Sequence, residues 1–359
     1  MTTMLPIDPA EAAAFADRML DILNGGALAL MISIGHRAGL FDVMSRLGFA
    51  TSVVIADEAG LRERYVREWL GAMATSAIVE YDAAGDAYRL PRSHAAALTR
   101  AARPNNLATT AQWISLLGSV EDAVLECFAR GGGVPYAAYA RFHEVMAEGS
   151  DQTVVAALEG AILPLVEGGV AALERGIDVL DVGCGSGRAV NQMAGAFPRS
   201  RFTGYDLSPE AIATARAEAR ERGLSNARFE VRDVADLGAT DAFDLVTAFD
   251  AIHDQARPAT VLAAIARALR RDGTLLMQEV RGTSCVDDDA AHPLAPFLYT
   301  VSCLHCMTVS LSAGGAGLGA MWGAATARRM LEEAGFAKVR IETLAHDVLN
   351  SYYIARKQG

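Results

Sequence analysis

Two stretches of this chain carry residue types and spacings fit for chemistry. The first is Asp181-Val-Gly-Cys-Gly-Ser-Gly187, in which glycine recurs at Gly183, Gly185 and Gly187. Glycine at alternate positions removes the Cβ atoms that would hold a ligand off the backbone. From Arg188 the chain turns helical, and the first turn of a helix offers unpaired N–H groups. Nineteen residues beyond Gly187 a second acid, Asp206, closes the β-favouring run Arg201-Phe-Thr-Gly-Tyr-Asp206. A carboxylate there accepts hydrogen bonds from both hydroxyls of a ribose. The second stretch is His253-Asp254. An imidazole titrating near neutrality takes a proton from a nucleophile. Glu279 orients that base or touches substrate. A loop histidine capping the helix that opens at 258 fits His253 equally well.

The elements that hold these residues follow an α/β pattern. Strand 177–182 leads into helix 188–196, and strand 201–206 into a helix with Ser208 as N-cap and Pro209 at its first position. Strand 228–232 ends at Asp233-Val234. Strand 243–249 precedes Asp250-Ala-Ile-His-Asp254 and helix 258–270, and Gly273–Val280 is the fifth strand. Strands at 339–343 and 351–356 are too close for a helical crossover, so they pair antiparallel at the sheet edge. Any one of Asp181, Asp206, Asp233 and Asp250 reads alone as a strand-end or cap residue. Together, after four successive strands, they read as a cofactor site. The glycine run is not the G-x-G-x-x-G of a dinucleotide site, because position 188 is Arg188.

With these residues the chain, from near Val170 to its C-terminus, resembles the class I S-adenosylmethionine (SAM) dependent methyltransferases. The resemblance implies a seven-stranded, doubly wound, Rossmann-like α/β sheet with an antiparallel terminal hairpin. It implies SAM as cofactor and S-adenosylhomocysteine as product. Gly183, Gly185 and Gly187 then lie under the methionine half, and Asp181 binds its ammonium directly or through water. Asp206 takes the ribose diol and Leu207 packs on adenine. Asp233 accepts the adenine amino group, and Val234 adds backbone and apolar contact. Phe249 and Asp250 lie beside the methionine moiety. Plant-type O-methyltransferases place a general-base histidine in a His-Asp pair where His253-Asp254 falls, but Gln255 stands where those enzymes usually have Trp.

Ahead of that region the apolar spacing predicts helices over 9–24, 27–36, 51–60 and 62–77, with Thr51 as N-cap and Gly60 as the stop. Two short strands follow, 78–82 and 87–90, around a turn at Gly85-Asp86. This is a winged-helix pattern, and the layout resembles the small-molecule O-methyltransferases in which such a mostly helical domain serves dimerisation. The expected organisation is a winged-helix dimerisation and lid domain over 1–100, a helical linker over 101–170 and a methyltransferase domain over 171–359. Residues 1–100 hold 9 Lys+Arg against 12 Asp+Glu, which argues against DNA as the partner of the winged helix. Tyr136, Phe142 and His143 in the linker line a substrate pocket or serve as interface and core residues.

Formal net charge is −11, which argues against a general nucleic-acid or anionic-membrane binder. No uninterrupted apolar run suggests a membrane span, and no signal peptide is read. Five scattered Cys suit a reducing cytoplasm. The stretch from about 285 to 325 is read as an apolar lid over the substrate site, with Cys303, His305, Met307 and Trp322 facing the acceptor. Cys303, His305 and Cys306 lack the second Cys/His pair of a structural zinc site, so no metal is expected. The reading is methyl transfer to an O, N or S nucleophile of a small, largely apolar molecule by a cytoplasmic homodimer, an aromatic hydroxyl suiting His253 best. Two alternatives stay open: a thiol or metalloid methyltransferase using Cys285, Cys303 and Cys306, and a SAM-sensing winged-helix DNA-binding regulator.

Overall fold

The computed structural model describes residues 7–104 and 106–357. The chain divides into two compact units between Ser115 and Leu116. The first opens with the helix Pro9–Arg37, capped by the Asp8 side chain on the Ala10 N–H. It replaces the two helices expected over 9–24 and 27–36. Gly25 and Gly26 cost about 1 kcal/mol each in a helix interior, but neither adopts a positive φ. The apolar helix formers on either side carry the helix through them. Thr51 caps the helix Ser52–Ala59, and Gly60 ends it at φ +65°. The helix Glu63–Thr75 then leads into strands β1 (Glu80–Asp82) and β2 (Ala87–Arg89), paired antiparallel with Tyr81 opposite Tyr88. Phe41, Ile55, Val66, Trp69, Leu70 and Met73 form the core of this winged helix. Arg64 pairs with Glu68, and Arg67 with Glu63, along the second of these helices.

The helix Pro9–Arg37 is long and apolar enough to cross a membrane, judged by length and composition alone. Single charges interrupt its apolar run, which is why the sequence did not suggest a span. Only a small part of it is buried.

In the second unit, strands β3 (Asp178–Val182), β4 (Arg201–Asp206), β5 (Ala227–Val231), β6 (Phe243–Phe249), β7 (Leu269–Val280), β8 (Phe336–Glu342) and β9 (Asn350–Lys357) form one sheet. Their spatial order is β5-β4-β3-β6-β7-β9-β8. The first five pair in parallel, and β9 runs antiparallel to both β7 and β8. β7 begins at Leu269 rather than at Gly273, because Phe243 pairs with Leu269 while Leu245 pairs with Thr274. A bulge absorbs the residues between. Helices cover both faces: Pro258–Ala268 and Ala324–Glu333 pack on one, Arg188–Ala196 and Pro209–Glu221 on the other. Buried on both faces, β7 is apolar almost throughout from Thr274 to Met277. The strand order reverses beside β3, between β4 and β6. In an open α/β sheet a ligand binds outside the carboxyl ends of the strands at that point.

Candidate active site

The glycine loop begins where β3 ends. All three glycines have positive φ, but they serve different ends. A Cβ on Gly183 would come within 2.6 Å of the Ala251 Cβ, and one on Gly187 within 2.6 Å of Ala215 and Phe229. At these two the missing Cβ allows close packing within the protein. A Cβ on Gly185 would meet nothing within 4 Å. Of the three loop glycines, Gly185 is the one with open space where a Cβ would sit.

Asp206, at the end of β4, is held by this loop. Its Oδ2 accepts the Gly185 N–H at 2.9 Å and its Oδ1 the Ser208 N–H at 2.8 Å. Two backbone donors fix the carboxylate while leaving lone pairs for a diol. Asp181 is buried within β3 and accepts the Thr247 hydroxyl at 2.7 Å. Burial pushes its carboxyl up to about 7, with Thr247 opposing and Asp206 adding to the shift. Leu207 is exposed beyond β4, free to meet a flat ring. Asp233 caps the Ala235 N–H and pairs with Arg257 at 3.0 Å. The Val234 side chain is buried in the core cluster that includes Leu237 and Val246. Phe249, half-buried, packs against the core on the side of the sheet covered by Arg188–Ala196.

The loop after β6 carries the acid–base groups. Asp250 stands at φ +50°, a strained conformation for a residue with a Cβ, and its Oδ1 is buried without a hydrogen-bond partner. Burial and then the Glu279 charge hold its carboxyl well above the usual range. Glu279, fully buried at the end of β7, accepts the Ile252 N–H at 2.9 Å through Oε1 and bonds His253 Nδ1 through Oε2. Burial is the largest single influence and disfavours a charged His253 ring, but Glu279 and Cys306 together outweigh it and hold the imidazole well above its ordinary value. The partner of His253 is therefore Glu279. Asp254, the partner expected from the His-Asp pair, turns the other way and receives the Tyr136 hydroxyl. Its carboxyl is pushed up to about 6, chiefly by burial.

The segment Gly131–Phe142 and the insertion 285–325 meet in this same unit. A Cβ on Gly133 would overlap the Thr308 carbonyl, and the Val134 N–H donates to Thr308 Oγ1 at 2.9 Å. Phe142 stacks on His305 with ring centroids 4.3 Å apart, Tyr139 meets His305 edge-on at 4.8 Å, and His143 packs against Phe142. Burial pushes the His305 imidazole down to about 3, so the ring is neutral and part of an aromatic cluster. Cys306 is buried, while Cys303 and Met307 are half-buried and Cys285 is exposed. Trp322 is buried and belongs to the core cluster that also holds Met330, Leu331 and Phe336. Asp250, His253 and Glu279 bring donor atoms within 4.8 Å of one another, a group with ligand types a divalent cation accepts. The sequence suggested no such grouping. Thr247 and the Glu279–His253 bond are the site features that sequence reasoning left out or ranked low. A hydroxyl residue inside an apolar strand, in register with Asp181, was the available signal.

The fold is the class I methyltransferase fold. Residues 26–100 match the family described as the Rv2258c-like winged HTH domain, and residues 173–335 match a methyltransferase domain family. The chain carries a winged HTH domain followed by a methyltransferase domain. It is 34% identical over 110 residues to a ubiquinone biosynthesis O-methyltransferase of Xanthomonas oryzae pv. oryzae, covering 30% of this chain and 45% of that protein. It is 32% identical over 108 residues to the O-methyltransferase cnsE of Penicillium expansum, covering 30% and 39%. The chain thus spans less than half the length of these curated relatives. Among solved structures, human N-acetylserotonin methyltransferase in complex with SAM superposes with a TM-score of 0.66 at 18% identity, over 100% of both chains. An O-methyltransferase family protein from Burkholderia thailandensis gives 0.65 at 17%, over 98% and 99%.

Proposed function

We propose that this chain transfers the methyl group of SAM to a hydroxyl oxygen of a small, largely apolar acceptor, with an aromatic hydroxyl as the first candidate. The observation that carries the reading is the buried His253–Glu279 pair, one strand away from the Gly185 cradle. The residues fit the cofactor. The open space over Gly185, the Asp206 carboxylate fixed by two N–H groups, and the buried unpartnered Asp250 oxygen are features a nucleoside and an ammonium group use. Asp206 holds the ribose, Leu207 the adenine face, and Asp181 with Asp250 the methionine end. When bound, SAM supplies a methyl group on a sulfonium that is its own leaving group.

The protein then has little bond chemistry of its own to perform. Proximity and exclusion of water supply most of the rate. His253 presents Nδ1–H to Glu279 and keeps Nε2 as the base. Nε2 takes the acceptor's hydroxyl proton as the oxygen gains its methyl group, and the Glu279 carboxylate stabilises the imidazolium that forms. Tyr136, Phe142 and His143 surround the acceptor side. The thiol or metalloid reading has less support, since Cys285 is exposed, Cys303 half-buried and Cys306 buried, with no common exposure. The ion-paired Arg64 and Arg67 give the DNA-regulator reading no basic face to rest on.

The second partner in this reading is another copy of the chain, in the cytoplasm. Phe15, Leu20 and Leu23 are more than half exposed along the helix Pro9–Arg37, an apolar face suited to pairing. Light scattering on the purified protein tests this, with a monomeric mass as the contrary result. The function itself is tested by calorimetric titration with S-adenosylhomocysteine. Asp206→Ala should lose about 1.5–3 kcal/mol, roughly ten- to a hundredfold in affinity. Wild-type protein that binds no S-adenosylhomocysteine would remove the reading.

A further inference from the structure

An ammonium group carries three N–H donors, and each needs an acceptor once the group leaves water. The reading above supplies Asp181 and Asp250 for the methionine end. A further acceptor stands on the next strand. Gln278 lies in β7, fully buried, directly after the apolar run Leu275-Leu-Met277. Strand register puts it on the same face of the sheet as Asp181. Asp181 lies opposite Thr247 in β6; Phe249, two residues beyond Thr247, lies opposite Gln278; Gln278 lies opposite Tyr352 in β9. Alternate residues of a strand share a face. Asp250 is tied to Gln278 directly, its N–H donating to the Gln278 carbonyl at 2.9 Å.

The orientation of the Gln278 amide is set by its partner. Nε2 donates to Asp347 Oδ2 at 3.0 Å. Asp347 is buried and already accepts the Leu349 and Asn350 N–H groups and, at 2.7 Å, the Tyr352 hydroxyl. It serves these groups as an acceptor throughout, so a turned-over amide would set oxygen against oxygen. Nitrogen therefore faces Asp347, and Oε1 is left for something else. Among the described residues Oε1 is buried with no hydrogen-bond partner, and so is Asp250 Oδ1. Two orphaned acceptors on residues bonded to each other, at the carboxyl ends of neighbouring strands, call for a ligand rich in donors. The field there favours a cation. After burial, the Glu279 charge raises the Asp250 carboxyl, Asp347 and Asp254 add to it, and only His253 opposes.

We propose that Gln278 is a cofactor-binding residue: its Oε1, presented by the Asp347 bond to Nε2, accepts an N–H of the cofactor's ammonium group beside Asp250. Asp347 is then the positioning residue that fixes the amide. The inference rests on SAM being the cofactor.

The test is calorimetric titration with two probes, S-adenosylhomocysteine and its analogue with hydrogen in place of the amino group. Wild type should bind the first more tightly. Gln278→Met fills a similar volume without a polar atom. It should lose about tenfold or more in affinity for S-adenosylhomocysteine and little for the analogue. Gln278→Glu, protonated toward Asp347, keeps a carbonyl acceptor and should bind S-adenosylhomocysteine at least as tightly as wild type. A Gln278→Met variant that weakens both probes equally, or neither, would overturn the proposal and make Gln278 a core residue or a seat for water. Equal wild-type affinity for the two probes would overturn it without any variant. If thermal melts show that Gln278→Met does not fold, Gln278→Asn takes its place. It draws the acceptor back by one methylene, and the same selective loss is expected, its absence being the contrary result. Wild type that binds neither probe brings down the SAM reading itself. Wild type that prefers S-adenosylhomocysteine, with that preference intact in Gln278→Met, brings down the role of Gln278 alone.

Discussion

Glu279 holds His253 and the backbone beside it at the same time: one carboxylate oxygen takes the Ile252 N–H and the other takes His253 Nδ1. Glu279 ends β7 and His253 follows β6, the neighbouring parallel strand. The orientation of the base and the shape of the loop that carries it are therefore set by one buried side chain.

That relationship fixes a pH dependence. Glu279 raises the His253 midpoint, and only the deprotonated ring can act as a base. The rate should climb as pH rises through the raised value, giving an acid limb above the ordinary imidazole range near 6.5. Glu279→Gln should move this limb to lower pH and reduce kcat by about a hundredfold; His253→Gln should lose about 10²–10⁴. Both should bind S-adenosylhomocysteine nearly as well as wild type. For stability, the raised folded value means that the pair's contribution is fully present below about pH 6.5 and is lost as pH rises through the folded value. A pH–rate profile of Glu279→Gln that superposes on the wild type would rule out His253 as the base.

The glycine loop separates two kinds of loss. At Gly185 an alanine incurs about 1–2 kcal/mol of left-handed strain and projects its methyl into the open cradle. Gly185→Ala should weaken S-adenosylhomocysteine at least about tenfold with a modest loss of melting temperature. Gly187→Ala drives its methyl into Ala215 and Phe229, so it should lower the melting temperature more than Gly185→Ala does. Thermal melts and titrations of the pair check this. Equal cofactor affinity in Gly185→Ala and wild type would mean that the cradle is not the cofactor's seat.

Chelation distinguishes a base from a metal ligand. Glu279 is already committed to Ile252 and His253, so the Asp250, His253 and Glu279 group is expected to work without an ion. Dialysis against EDTA should leave the methylation rate unchanged. A rate abolished by EDTA and restored by a divalent cation would make His253 a ligand.

The sheet was legible because its strands are apolar and end in acids at regular intervals, so the positions of Asp181, Asp206 and Asp233 followed from the pattern. What the pattern could not carry is side-chain direction. His253-Asp254 looked like a pair because the residues are adjacent. In a turn, successive side chains diverge, and their partners proved to be Glu279 and Tyr136, both distant in sequence. Val234 was placed at the ligand beside Asp233, and Trp322 as part of the 285–325 lid, and both are buried in the core cluster. Gly25-Gly26 looked like a break because local propensity cannot weigh the long helix around it.

Asp181 combines a loss of apo stability with a gain in binding, and pH separates the two. Its carboxyl titrates near 7 in the folded chain and near 3.9 when unfolded. Between those values the native state holds a proton that the unfolded state has released, so apo stability should fall as pH rises from about 4 to about 7. Asp181→Asn keeps an acceptor for the Thr247 hydroxyl and has nothing to titrate. Its apo form should be more stable than wild type at pH 8, by on the order of 1–2 kcal/mol, with a smaller difference at pH 5. Binding should respond in the opposite sense. An ammonium group favours the ionised carboxylate, so wild-type affinity for S-adenosylhomocysteine should increase from pH 6 to 8, with a proton released at the lower pH. The asparagine variant should bind more weakly, without that slope. Denaturant melts at the two pH values, and titrations in buffers of different ionisation enthalpy, measure both effects. Parallel pH dependence in wild type and Asp181→Asn would show that this carboxylate neither carries the proton nor meets the ammonium.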